Sequence, residues 1–221
     1  MRTNVAVLGA GNFGTVLAML AQRAATGRGE VWLYDHEPKK IADIRATGEN
    51  RKSLPGVPLP REIHLTASLE EACNHCILVM PVIPSGAMRS LAAQLARHVR
   101  GDHLIVHCTK GFEPVTHKRM SEVLVEETGV LRLGAFSGPN LAAELARGLP
   151  GATVIASPFE EVRQTAALAF ASPGFRVETS TDMAGVELIG ALKNVLALSS
   201  GFCSERGLGQ NAMGTTLTRI L

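Results

Sequence analysis

Short apolar runs rich in β-branched residues recur along the 221-residue chain, and between them lie stretches whose apolar positions repeat at helical spacing. The runs predict strands over 5–8, 30–34, 63–66, 76–80, 104–108, 131–136, 152–156 and 175–178. The intervening stretches predict helices over 16–25, 38–47, 86–99, 118–127, 141–147 and 160–170. A brief extra helix follows Ser68, where Glu71 three residues on completes a capping box. Pro55, Pro58 and Pro60 make 50–60 a loop. Strand alternating with helix is the pattern of a largely parallel sheet covered on both faces. That rhythm stops after Asp182: 183–201 is one long helical run with no strand behind it, and 207–221 begins another. A boundary near 179–182 therefore divides a first domain (1–180) from the beginning of an all-helical second one (181–221), which reads as incomplete because the pattern is interrupted at Leu221.

The first run leads straight into Gly9-Ala10-Gly11-Asn12-Phe13-Gly14-Thr15. This is G-x-G-x-x-G with a strand before it and a helix after it, the setting in which that spacing binds a dinucleotide. Gly9 would allow the tight turn, Gly11 the close approach of a pyrophosphate, and Gly14 the contact of helix with strand. The helix N-terminus would offer unpaired N–H groups and a partial positive charge to the phosphates. The second run ends at Asp35, about 20 residues beyond the last glycine, where such folds place the acid that binds a ribose hydroxyl. The expected fold class is α/β, a Rossmann-type, largely parallel sheet followed by the start of an all-helical C-terminal domain.

Composition narrows the function by exclusion. A formal net charge of +2 leaves no electrostatic footprint for nucleic acid or a membrane surface. One Trp and one Tyr make no stacking platform for single strands. No apolar run approaches spanning length, and the first strand begins too early for a signal peptide, so the cytoplasm is the expected location. Four cysteines do not make a disulfide framework. Cys73-Asn74-His75-Cys76 resembles a metal knuckle, but no second ligand pair accompanies it, and it straddles a helix end and a buried strand where thiols are common. No metal is expected. The other histidines (His36, His64, His98, His103, His107, His117) lack ligand spacing and are expected at the surface or in loops.

Ligands of open parallel sheets bind beyond the carboxyl ends of the strands. Three such ends carry glycine or polar signals: 9–14, Thr109-Lys110-Gly111 and Ser137-Gly138-Pro139-Asn140. Lys110 there either meets an anionic substrate or is a solvated strand-end lysine. Lys193 is the only charged side chain between Leu188 and Ser204, and at helical spacing it shares a face with Val186, Ile189, Gly190, Leu196 and Ala197. It either snorkels out along its alkyl stem or is kept as a general acid for a developing alkoxide.

Together these motifs resemble one family, the NAD(P)-dependent glycerol-3-phosphate dehydrogenases of the bacterial type. The resemblance rests on 9–15, the loop Leu54-Pro55-Gly56-Val57-Pro58-Leu59-Pro60, Thr109-Lys110-Gly111-Phe112-Glu113, 137–144 and Gly190-Ala191-Leu192-Lys193-Asn194-Val195, in the family's order over nearly the whole chain. It implies interconversion of dihydroxyacetone phosphate and sn-glycerol 3-phosphate with NAD(P)H, for glycerophospholipid synthesis. It further implies that Asn12 and Phe13 line the cofactor pyrophosphate, that Lys110 contacts cofactor and substrate, that Gly138 and Asn140 sit at the substrate and Ala142 at the cofactor, and that Lys193 is the catalytic proton donor. A homodimer is a further expectation for the full-length protein. Asp35 departs from many members and would repel a 2′-phosphate, favouring NAD over NADP, with Lys39 and Lys40 as opposing charges. The family's substrate domain also supplies an aspartate and an Arg-Asn pair beyond the position of Leu221, so this chain is expected to be a truncated form that binds NADH but turns over poorly, with an apolar face of the 183–201 helix uncovered. The competing readings are a non-catalytic NAD-binding module and another dehydrogenase of the same two-domain plan, acting on hydroxyacids or ketopantoate.

Overall fold

A computed structural model describes residues 3–25 and 29–220. Eight strands form one sheet: β1 (Val5–Leu8), β2 (Val31–Tyr34), β3 (His64–Thr66), β4 (Leu78–Pro81), β5 (Leu104–His107), β6 (Leu133–Ser137), β7 (Gly151–Ala156) and β8 (Phe175–Ser180). Helices α1 (Asn12–Ala24), α2 (Pro38–Thr47), α3 (Leu69–His75), α4 (Met88–Leu95), α5 (Met120–Thr128), α6 (Ala142–Ala146) and α7 (Glu160–Phe170) fill the crossovers, and α8 (Met183–Glu205) and α9 (Gly209–Ile220) follow the last strand. The order across the sheet is β3-β2-β1-β4-β5-β6-β7-β8. Every pairing is parallel except β6 with β7. The hydrophobic pattern reads the parallel majority correctly; the one reversal follows from a connection through the short helix α6, which the pattern cannot distinguish from a crossover.

Two apolar layers, one on each face, hold the sheet. Alternation along β1 serves both: Val5 and Val7 join Leu17, Leu33, Phe136 and Phe170 on one face, and Ala6 and Leu8 join Trp32, Val79, Met88 and Ile105 on the other. Burying each such large side chain contributes about 1.5–3 kcal/mol relative to exposure. Local signals set several ends. Pro38 opens α2, and Gly48 closes it in the left-handed region at φ 70°. Asp182 caps α8 by accepting from the Gly185 N–H at 2.8 Å.

Four expectations are corrected. Helix α1 begins at Asn12, inside the glycine motif, because packing against β1 overrides the poor helix propensity of Gly14. The Ser68 box is half made: Ser68 Oγ accepts from Glu71 N at 3.2 Å, but the Glu71 carboxylate turns to the Thr66 hydroxyl instead. His103 and His107 are buried, because β5 carries them into the sheet interior. Finally, α8 has the length (23 residues) and mean hydropathy (1.3) of a membrane-crossing helix, although its residue Glu187 is ion-paired with Arg119 at the start of α5 and lies 3.0 Å from His107 Nε2 on β5. The Cys73–Cys76 stretch is spent on packing. Both thiols are buried, burial pushing the Cys73 thiol up to about 11, while the His75 ring stacks on Trp32 at 4.6 Å. His64 stacks on Trp32 as well, also at 4.6 Å.

Candidate active site

The glycine turn is shaped by three different demands. Gly9 has φ +121°, and a Cβ there would lie 2.5 Å from the Val82 carbonyl oxygen. A Cβ on Gly14 would lie 1.9 Å from the Gly9 carbonyl, so helix and turn could not close. Gly11 is different: it is the N-cap of α1, and among the described residues other than its chain neighbours nothing lies within 4 Å of an added Cβ. The open space beside it adjoins a first turn with no side-chain cap and no acidic residue. Its N–H donors are therefore left for an anion, and the cradle fits a pyrophosphate.

Asp35 directly follows β2, the strand-end position the motif suggests. Its side chain is buried beneath the turn: Oδ2 accepts from Ala10 N at 3.0 Å and from Lys40 Nζ at 2.8 Å, while Oδ1 accepts from Glu37 N at 3.1 Å and lies 3.3 Å from His36 Nδ1. Burial alone would raise its pKa, but Lys40 and the two backbone donors hold it below the usual carboxylate value. Of the roughly four acceptor positions a carboxylate offers, hydrogen bonds from Ala10 N, Lys40 Nζ and Glu37 N fill three. Lys40 Nζ, 2.8 Å from Oδ2, offsets the charge that is expected to repel a 2′-phosphate. From the other side Asn50 Nδ2 donates to the Ala10 carbonyl at 2.9 Å and to Thr15 Oγ1 at 2.8 Å. Both polar groups of Ala10 are thus gripped, and the turn is built in its working shape.

The sheet order turns at β1, between β2 and β4, and the crevice outside that switch point is where doubly wound folds place their ligands. A cleft of about 410 Å³ lies there, lined by Gly11 to Gly14 after β1, Val82 to Pro84 after β4, Cys108 to Lys110 after β5, Phe136 on β6, and Asn140 and Ala142 beyond it. A larger depression of about 590 Å³, between α2 and β3 at the outer edge, contains none of these residues. Lys110 Nζ donates to Ser137 Oγ at 3.3 Å. Desolvation in the cleft lowers the Lys110 pKa, and the nearby Lys193 ammonium lowers it further. Asn140 presents a buried Oδ1 without a hydrogen-bond partner among the described residues. Gly138 lies outside the lining; a Cβ there would meet the Ala152 carbonyl at 2.7 Å, so packing on β7 is what requires glycine. Lys193 also lies outside the lining, on the exposed side of α8, one turn beyond Gly190. A Cβ on Gly190 would sit 3.2 Å from Ser137 Oγ and 3.9 Å from Lys110 Cγ, so the helix crosses the cleft rim at that point.

Residues that the sequence reading passed over complete the site. Val82, Ile83 and Pro84 form one wall, and the Thr109 hydroxyl donates to the Ile83 carbonyl at 2.7 Å. The end of β4 could have been included on strand position alone, but its apolar residues carry no chemical signal. Asn50 could not, because its partners lie 35 and 40 residues away.

Sheet order, glycine cradle and strand-end cleft define a Rossmann-type nucleotide-binding domain with a helical segment appended. The chain belongs to the NAD-dependent glycerol-3-phosphate dehydrogenase family: the family's N-terminal profile matches residues 4–163 and its C-terminal profile residues 182–221. Relatives include the glycerol-3-phosphate dehydrogenase [NAD(P)+] of Corynebacterium glutamicum strain R, 41% identical over 99% of this chain and 65% of its own length, and that of Moorella thermoacetica, 41% identical over 99% and 64%. The solved glycerol-3-phosphate dehydrogenase of Coxiella burnetii is 30% identical with a TM-score of 0.88, covering 99% of this chain and 66% of that one. The yeast enzyme from Saccharomyces cerevisiae is 28% identical with a TM-score of 0.86, covering 97% and 67%. The chain thus spans slightly less than two thirds of the curated relatives it matches.

Proposed function

We propose that this chain carries the cofactor half, and the first two helices of the substrate half, of an oxidoreductase that interconverts dihydroxyacetone phosphate and sn-glycerol 3-phosphate in the cytoplasm, with the division between the halves near residue 180. The observation that carries this reading is the meeting of a pyrophosphate cradle, an orphaned Asn140 oxygen and the Lys110 ammonium in one cleft whose rim is crossed by the helix bearing Lys193. NAD(P)H, when bound, would supply the hydride. Gly9, Gly11 and Gly14 would let Asn12 and Phe13 hold the pyrophosphate, with Ala142 closing the cofactor side. Lys110 and Asn140 would orient the substrate beside Gly138. Lys193 would give its proton to the carbonyl oxygen as that atom becomes an alkoxide, and in the reverse direction would take it back. With Asp35 committed beneath the turn, both NADH and NADPH are expected to bind.

The test is calorimetric titration with NADH and NADPH, followed by NADH oxidation with dihydroxyacetone phosphate on the same sample. Both cofactors should bind, and turnover should be low in this chain. Lys193→Ala should leave cofactor affinity in place while lowering kcat by about 10²–10⁴, the usual contribution of acid–base help. Absence of cofactor binding, or turnover indifferent to Lys193→Ala, would overturn the assignment; binding with no turnover in any form would favour a nucleotide-binding module.

A further inference from the structure

Helix α8 has little apolar packing to fix it: among the described residues only Glu187, Gly190 and Cys203 of its 23 are buried. The strongest tie near the cleft is polar. Glu187 Oε1 accepts from Ser121 N at 2.9 Å and lies 3.0 Å from His107 Nε2, while Oε2 accepts from Ser121 Oγ at 2.7 Å and from Arg119 Nη1 at 3.0 Å. The carboxylate thereby joins α8 to β5 and to the start of α5. Burial would raise its pKa, but His107 and Ser121 hold it below the usual value. A buried carboxylate supplied with this many partners is firmly oriented, and removing a partner leaves an uncompensated charge.

The spacing gives that rung a consequence. Glu187 precedes Lys193 by six residues of helix, about 9 Å along the axis. His107 closes β5 and precedes Lys110 by three residues, at most about 10 Å of chain. The rung and the two lysines are therefore opposite ends of one ladder, with Gly190 against Lys110 Cγ and Ser137 Oγ midway. A slip of one residue along α8 would swing the Lys193 ammonium by about 100° around the helix. We propose that Glu187 is a positioning residue: its contacts with His107, Ser121 and Arg119 set the register of α8 on β5, and so fix how closely Lys193 approaches Lys110. The catalytic meaning of that register rests on the function proposed above, but the register itself is testable without substrate.

The test reads Lys110 as a probe. Lysines are reductively methylated with a ¹³C label, which keeps their charge, and the Lys110 resonance is titrated by NMR. The groups facing it are Cys108, Ser137 and Lys193. In the otherwise unaltered chain, Lys193→Met should raise the Lys110 pKa by removing a neighbouring positive charge. In a Glu187→Gln or Ser121→Ala background most of that rise should disappear, because α8 no longer presents Lys193 at the same place. If Glu187→Gln fails to unfold cooperatively, Ser121→Ala decides, since it keeps the backbone donor and Arg119. An undiminished rise in the folded variants, or no rise in the parent chain, overturns the proposal. NADH titration of the same samples separates this from the functional reading: parent protein that shows the Lys110 shift but does not bind NADH retains the register and loses the dehydrogenase assignment.

Discussion

Gly11 and Gly14 are glycines for opposite reasons, and the difference can be measured. Gly14→Ala pushes a methyl group into the Gly9 carbonyl and should destabilise the chain by about 3 kcal/mol or more in denaturant unfolding. Gly11→Ala meets no protein atom, so its stability should stay within about 1 kcal/mol of the parent while NADH affinity falls about tenfold or more. A loss of affinity without a loss of stability is what a ligand-facing glycine requires. Asp35 makes a second contrast. As a clamp on Ala10 paired with Lys40, its replacement by Ala should lower the melting temperature and weaken NADH and NADPH by similar factors. A selective gain for NADPH would restore the ribose role that the motif suggests. The position of Asp35 was legible from spacing alone, but its occupation was not. That depends on Lys40 curling back from one turn into α2, and on the Ala10 N–H arriving from 25 residues upstream. Lys110, Asn140 and the glycines were legible because strand ends can be located from periodicity.

Elements were easier to read than their ends, and the pairs that join elements were hidden. His107 and Glu187 are 80 positions apart, and nothing in either neighbourhood names the other. His107 looked like a loop histidine only because a polar residue closing an apolar run resembles the edge of a strand. The joints between elements also predict the response to acid. Glu113, on the loop after β5, is held at about 2 by the Arg89 guanidinium from α4, and Glu187 is likewise held below the ordinary 4.5. Each therefore binds fewer protons in the folded than in the unfolded chain. Their contribution to stability is complete above the ordinary carboxylate range and is lost as pH falls from 4.5 toward 2. Urea midpoints should accordingly drop between about pH 6 and about pH 3, and Arg89→Met should remove part of that slope. A flat profile, or the same slope in the variant, would show that these joints contribute nothing.

At the scale of the molecule, an apolar face remains uncovered: Leu188, Val195, Leu198 and Phe202, on one side of α8 at helical spacing, are between 43% and 76% exposed. Contiguous patches of this kind drive association, so light scattering should rise with protein concentration, and Leu198→Lys with Phe202→Lys should suppress it. An unchanged scattering curve would show the face to be inert. The largely parallel, two-faced architecture was legible because the runs are apolar on both sides; the reversal at β7 was not, since orientation depends on the path of the chain rather than on residue type. The place of β1 in the middle of the sheet has one more consequence, for birth of the protein on the ribosome. Strand β1 must wait for β4 before both its flanks are covered, but from then on β5, β6, β7 and β8 dock outward in the order in which they emerge, each finding a fresh edge left by its predecessor. Protease resistance of stalled nascent chains should therefore begin only once the segment ending at Pro81 has cleared the exit tunnel, and then grow steadily with every strand released.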